Sequence, residues 1–326
     1  MTGVYLVTGA AGFIGAQVSE ALARRGDRVI GVDNLNDAYD VRIKHHRLEQ
    51  LRPFPRFEFR EFDLREKAKL DDLAKNTTKI DAVIHLAARA GVRASVDQPR
   101  LIMDNNVMGL VNTLEFAHTA RIPKFIFASS SSIYGADPQS PTPETADTDH
   151  PLQQYTASKK AGETLCHVYH HLYGLDVTIF RYFTVIGPAG RPDHAMFRFI
   201  QRISEGLPIT LNGDGTQTRG FTFIEDIVRG TLLGLTPQGY EIFNLGGHDV
   251  ISMNDLIAMI EKMVGRKAIV HHRPFHPGDA KSNEADVTKA RTELGWSPQV
   301  SLEEAVRRIV EWYQRERSWA KDLITE

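Results

Sequence analysis

The stretch VYLVTGAAGFIG, Val4 to Gly15, decides the fold. An apolar run stops at Thr8, and Gly9, Gly12 and Gly15 then punctuate the passage into an amphipathic segment. Glycines between a strand and a helix let the backbone turn tightly and approach a pyrophosphate, which sits on the helix N-terminus. The spacing is G-x-x-G-x-x-G rather than the commoner G-x-G-x-x-G, so the glycines alone are weak evidence. Asp33 strengthens them. It ends the next apolar run, RVIGVD, where a carboxylate accepts the adenosine ribose hydroxyls and repels a 2′-phosphate. A tight structural turn beside a solvated Asp33 would need the same glycines, but not the same agreement of strand, turn, helix and acid. The expected cofactor is NAD rather than NADP.

The first half of the chain repeats this rhythm. RVIGVD (Arg28 to Asp33), FEFREFD (Phe57 to Asp63), AVIHLAA (Ala82 to Ala88), KFIFASS (Lys124 to Ser130) and VTIFRY (Val177 to Tyr182) read as strands. Most are continuous apolar runs, as in strands buried on both faces. Helical patterns lie between them, clearest over Gln17 to Arg25, Leu101 to Ala120 and Gln154 to Tyr173. The alternation predicts an α/β fold with a Rossmann-type doubly wound parallel sheet. After Tyr182 the loops lengthen. NGDGTQTRG (Asn212 to Gly220) is turn chemistry, and EIFNLGG (Glu241 to Gly247) reads as one more strand. Ser252 with Asp255, and Ser301 with Glu304, read as capping boxes that open two helices. The expected division is an NAD-binding domain over 1–181, joined by about 221–247, and a smaller C-terminal α/β substrate domain over 182–220 and 248–326.

The 326 residues are 42% hydrophobic and 25% charged, with a net charge of -2. That composition is globular and gives no sign of a nucleic-acid or membrane-surface partner. One cysteine, Cys166, precludes an intrachain disulfide and fits a reducing compartment. No basic and apolar leader opens the sequence, and no apolar run reaches the length of a membrane span. The expected location is the cytoplasm.

YTASKKAGE places Tyr155 and Lys159 four residues apart, on one face of a predicted helix. A free phenol, with a pKa of about 10, is a poor base at neutral pH. A nearby ammonium and a cationic nicotinamide both favour the phenolate. Such a pair removes a hydroxyl proton while the cofactor takes the hydride. A Tyr/Lys pair at this spacing is ordinary on a helix surface; the glycine loop beside it makes the catalytic reading the better one. Ser129 to Ser132 end the fifth strand, at the carboxyl edge where such sheets bind ligands. A serine there can hydrogen-bond the reacting oxygen. Cys166, seven residues beyond Lys159, reads as a small buried side chain. The pairs His45-His46, His170-His171 and His271-His272 diverge on any regular element and have no carboxylate at ligand spacing, so no metal is expected.

TGAAGFIG, LAAR, SSSSIYG, YTASK and RYFTVIGP together resemble the extended short-chain dehydrogenase/reductase family over nearly the whole chain. Within it, DNLNDAYDVRIKHHRL, AGVRASVDQP and above all RYFTVIGPAGRPDHAMFRF resemble the branch that inverts C4 of UDP-glucuronate. The resemblance implies reversible conversion to UDP-galacturonate through a 4-keto sugar, with NAD kept between turnovers. It implies that Ser130 is the catalytic hydroxyl, Tyr155 the base and Lys159 its activator, bound also to the nicotinamide ribose. Gly9, Gly12, Phe13, Ile14, Gly15, Asp33, Asp63, Leu64 and Ala87 would hold NAD together with that pair. Arg219 would contact the substrate diphosphate and Asp279 the uridine ribose. Thr184 stands where relatives acting on sugars without a carboxylate usually carry Asn. With Ser131 and Ser132 it is expected to hydrogen-bond the C6 carboxylate. Arg191 is left with two roles, bracing its loop or reaching the nucleotide. The family also implies a homodimer, packed through Leu101 to Ala120 and Gln154 to Tyr173.

The chain departs from the family pattern at Gly220, where an acid is common, at Arg89, where Gln is frequent, and at Asn283, where Thr is frequent. None of these removes a catalytic group. Two classes of rival stand beside the epimerase reading. One is another enzyme on this scaffold: a hexose 4-epimerase, a decarboxylase or a dehydratase. The decarboxylases typically carry an acid in the segment that here reads Ser131-Ser132-Ile133-Tyr134. The other is a non-catalytic NAD-sensing protein, which would have no need of Tyr155 and Lys159.

Overall fold

Strands that are apolar on both faces must be covered on both sides, and the chain meets that demand with helices between successive parallel strands. The computed structural model describes residues 2–77, 79–247, 249–275 and 282–325. Its strands are β1 (Val4–Thr8), β2 (Arg28–Asp33), β3 (Phe57–Glu61), β4 (Ala82–His85), β5 (Lys124–Ser130), β6 (Asp176–Tyr182), β7 (Thr184–Ile186), β8 (Ile209–Asn212), β9 (Thr218–Phe223), β10 (Tyr240–Leu245), β11 (Val250–Ser252) and β12 (Val270–Arg273). Seven of them form one sheet in the order β10-β6-β5-β4-β1-β2-β3. Every neighbouring pair in it is parallel. From β1 the chain runs outward to β2 and β3, then returns to β4 on the other side of β1. Beyond the ends of β1 and β4 the connections diverge, and that crevice is where doubly wound sheets bind ligands. The segment 221–247 supplies β10, which lies beside β6 with Tyr240 opposite Val177.

The remaining strands are short. β7 pairs with β9 in parallel, with Thr184 opposite Phe221, and β11 pairs with β9 on its other edge. β12 and β8 form a separate pair. One apolar core runs from Val7 and Phe13 through Phe180, Phe199 and Ile224 to Val306 and Tyr313, so the C-terminal helix Leu302–Ala320 shares the packing of the main sheet. Ser252 and Ser301 cap their helices, each accepting the N–H three residues on. Among the described residues no helix is long and apolar enough to cross a membrane.

Several boundaries differ from the sequence expectation. The first helix spans Phe13–Arg24, beginning four residues before Gln17, because it starts at the last turn of the glycine loop rather than at the first polar residue. β3 stops at Glu61, since Asp63 folds back to accept the N–H of Arg65. β4 stops at His85, and Leu86 and Ala87 turn to donate to the carbonyl and hydroxyl of Thr8. The helix over Leu101 to Ala120 is interrupted by a π-helical turn, Asp104–Met108, between Pro99–Met103 and Gly109–Thr119. The wide turn carries the buried Asn106 inward. Its amide exchanges two hydrogen bonds with the Arg89 backbone and donates to Ser158 Oγ at 2.9 Å. By contrast, the helix Gln154–Tyr173 has the expected bounds, closed by Gly174 in the left-handed conformation.

Candidate active site

The glycine loop explains its own composition. Gly9 has φ +71, and a Cβ there would meet the Ala87 backbone at 2.9 Å. A Cβ on Gly15 would run into the Gly9 carbonyl. Gly12 precedes the helix Phe13–Arg24 with no capping side chain, and no acid sits in the first turn. The first N–H groups of that helix are thus left for an anion from outside the chain, with the positive end of the helix dipole behind them. Gly9, Gly12, Phe13, Ile14 and Gly15 all line one cavity of about 410 Å³, within the size range of small-molecule sites. These features fit a dinucleotide.

A smaller compartment of about 90 Å³ adjoins this cavity, sharing Gly9, Gly12, Tyr39 and Arg191 with it. Asp33, Asp63, Leu64 and Ala87 line it, as does Arg89. One Asp33 oxygen accepts from Ala11 N at 3.2 Å, and the other from Leu35 N at 2.8 Å with Lys44 Nζ at 3.5 Å. Asp63 is held by Arg65 and by Asn34 Nδ2, and the Arg65 guanidinium keeps its carboxyl down at about 2. Both acids are therefore fixed as hydrogen-bond acceptors. Arg89 pairs with Asp37 at 3.1 Å on this side, away from the serines.

Ser130, Tyr155 and Lys159 share the wall of the larger cavity. Ser130 ends β5, and its Oγ accepts from Ser132 N at 3.2 Å, which shapes the one-turn helix Ser131–Tyr134. Burial pushes the Tyr155 phenol above its ordinary value, while the Ser130 hydroxyl and the charge of Arg191 draw it back. Lys159 is buried; its Nζ lies 6.0 Å from the centre of the Tyr155 ring and donates to the Ala128 carbonyl at 2.7 Å. Burial pushes that ammonium down to about 8. Cys166 is buried too, and its thiol is pushed up by the same cause, so it is inert at neutral pH.

Ser131, Ser132, Thr184, Arg191 and Arg219 line the same cavity. Asp279 lies outside the described residues. Arg191 is engaged on both sides: it pairs with Asp193 at 2.6 Å and donates to the Ala90 carbonyl at 3.2 Å. Two of the departures from the family pattern belong together. Gly220 N donates to the Asn283 carbonyl at 2.8 Å, and a Cβ on Gly220 would stand 3.0 Å from that oxygen. Asn283 in turn donates from Nδ2 to Ser131 Oγ at 3.3 Å. The sequence reading missed Asn106, Tyr39 and Gln153. Gln153 lines the cavity and caps the helix that carries Tyr155, accepting from Thr156 N at 2.9 Å. Its place two residues before YTASK was its only signal.

The model of the NAD dependent epimerase/dehydratase family matches residues 5–246. A UDP-glucuronate 4-epimerase of Thermodesulfobacterium geofontis is 50% identical over 311 residues, which cover 95% of this chain and 96% of that protein. A UDP-glucuronic acid 4-epimerase of Bacillus cereus, solved in complex with UDP-glucuronic acid and NAD, is 37% identical with a TM-score of 0.90, covering 96% of this chain and 99% of that one. A UDP-glucose 4-epimerase of Thermotoga maritima, solved with UDP-glucose, has the same TM-score of 0.90 at 31% identity and the same coverage of 96% and 99%. With a family model matched over most of the chain and a relative matched over nearly its whole length, the chain belongs to the NAD dependent epimerase/dehydratase family.

Proposed function

We propose that this chain interconverts UDP-glucuronate and UDP-galacturonate by inverting C4, with NAD retained through the cycle. The observation that carries the substrate assignment is the wall of the larger cavity. Among the described residues no carboxylate lines it, whereas Ser131, Ser132, Thr184, Arg191 and Arg219 do. A substrate carboxylate meets hydroxyls and cations there, not like charge. The 50% identical relative and the structure solved with UDP-glucuronic acid support the same choice.

NAD supplies, when bound, a hydride acceptor for C4 that can hand the hydride back. The protein's own groups do the rest. Tyr155 takes the O4 proton, its phenolate favoured by the Lys159 ammonium and the positive nicotinamide of bound NAD against the burial that raises the phenol, and Ser130 holds O4 while charge moves onto it. Lys159 fixes the helix face by its bond to Ala128 and adds a positive charge to the site. After the sugar turns, hydride would return to the other face of C4 and Tyr155 gives the proton back to O4. The ketone at C4 makes the C6 carboxylate part of a β-keto acid, which tends to lose CO2. Thr184, Ser131 and Ser132 hold that carboxylate charged and oriented against the loss.

Two helices, Gly109–Thr119 with the turns before it and Gln154–Tyr173, expose Met103, Met108, Val168, Leu172 and Tyr173. That apolar face supports a homodimer in which they pack as a four-helix bundle. The lone buried thiol supports a cytoplasmic location.

The test is to incubate purified protein, without added NAD, with UDP-glucuronate and follow the sugar by NMR. UDP-galacturonate is the expected product. UDP-xylose or a 4-keto pentose would overturn the carboxylate assignment, and turnover of UDP-glucose alone would overturn the uronate reading.

A further inference from the structure

Arg47 lies on the helix Arg42–Leu51, near the end of the DNLNDAYDVRIKHHRL stretch, and it is only 3% exposed. Its guanidinium makes four hydrogen bonds to three groups. Nε and Nη2 donate to the Ala189 carbonyl at 3.0 and 2.8 Å. Nη1 donates to the Ala11 carbonyl at 3.1 Å and to the Tyr39 hydroxyl at 2.8 Å. None of these acceptors is a carboxylate. A buried cation without a counter-charge is costly, so its retention asks for a reason.

The three acceptors belong to three parts of the site. Ala11 is in the glycine loop, directly before Gly12. Tyr39 lines both compartments. Ala189 sits in the loop that leads from β7 and Thr184 to Arg191, and it holds φ +52, a conformation L residues adopt only under constraint. The Tyr39 ring is itself ringed by cations, with Lys44 Nζ at 5.3 Å, Arg47 Cζ at 5.5 Å and Arg191 Cζ at 5.3 Å. A planar fork with donors on separate edges can hold two backbone segments that stand apart; a lysine has only one nitrogen, which must lie within reach of both.

We propose that Arg47 is a positioning residue that ties the glycine loop of the cofactor site to the Ala189–Arg191 loop of the sugar site, so that NAD stays bound while the sugar moves. This rests on the function proposed above. A pyrophosphate on the glycine loop would bring negative charge to the segment that Arg47 holds through the Ala11 carbonyl. Holding NAD and holding the sugar loop are then one linked equilibrium, and each strengthens the other.

Two variants test it. Arg47→Met removes all four bonds. Arg47→Lys keeps the charge in the same slot, which preserves folding, but cannot reach both carbonyls. Each is purified as the holoenzyme, checked for fold by circular dichroism, and dialysed; the NAD that remains is released with acid and assayed. Wild type is expected to keep close to one NAD per chain, and both variants to lose it roughly tenfold faster. With NAD saturating, KM for UDP-glucuronate should rise by a larger factor than kcat falls. Wild-type retention of NAD in Arg47→Lys would overturn the inference. So would loss of NAD with an unmoved KM, which would make Arg47 a prop of the glycine loop alone. Wild-type protein that keeps NAD yet leaves UDP-glucuronate unchanged would overturn the proposed function and not this bridge, which the NAD assay then decides by itself.

Discussion

Thr184 and Ser131 reach the cavity from different elements, the start of β7 and the turn after β5. A hydrogen bond to a charged group contributes about 1.5–3 kcal/mol, so losing one should change the partition of the 4-keto sugar by roughly tenfold or more. Thr184→Val and Ser131→Ala are therefore expected to raise the share of UDP-pentose products by about that factor, measured by NMR. Unchanged product ratios in both would contradict the proposed carboxylate contacts. His85 makes a different prediction. It is 1% exposed, bonded to Thr8 Oγ1 at 3.1 Å, and burial pushes it down to about 3. Below its unfolded value the unfolded chain takes up a proton that the native one refuses. Stability is thus intact above about pH 6.5 and is lost toward pH 3, at close to 1.4 kcal/mol per pH unit. His85→Gln removes this slope, so the difference in unfolding free energy between wild type and variant should shift by about that amount per unit between pH 6 and 4. A pH-independent difference in denaturant melts would mean His85 is not held neutral.

The dimer prediction belongs to two helices. Leu172 is 60% exposed and Tyr173 50% exposed at the end of Gln154–Tyr173, beside His118 of the neighbouring helix, whose N-terminal end carries the exposed Met103 and Met108. A Leu172→Glu variant should run as a monomer in light scattering where wild type runs as a dimer; a monomeric wild type at micromolar concentration would end this reading. At this scale the sequence was most legible where one element carries its own signal. β1, β2 and β5 are uninterrupted apolar runs and have the bounds their sequences suggest. The helix Gln154–Tyr173 is marked by its stripe and its closing glycine. The π-helical turn at Asp104–Met108 carries no such mark, because it is defined by where the Asn106 amide finds partners, on Arg89 and Ser158. β7, β8, β11 and β12 are three or four residues long and exist through pairing with distant strands, so periodicity could not announce them. Many residues that face the cavity were legible through motifs. Asn106 and Arg47, which steady the site, were not, since their roles lie in bonds to backbone and side chains far away in sequence.

Across the whole molecule the elements converge on one crevice. The reversal of strand order at β1 and β4 opens it, the uncapped helix Phe13–Arg24 points into it, and β5 with the helix Gln154–Tyr173 brings Ser130, Tyr155 and Lys159 to its wall. The small sheet β11-β9-β7 adds Thr184 and Arg219 from the other side, on a core continuous with that of the main sheet. A single cavity of this kind suits a reaction in which a hydride leaves C4 and comes back to it without exchange with water. The most direct measurement is to supply UDP-glucuronate carrying deuterium at C4, in ordinary water and with no added NAD, and to read C4 of the product by NMR. The account predicts UDP-galacturonate that keeps its deuterium at C4. Galacturonate that has lost it, or a product without the carboxylate, would contradict the account.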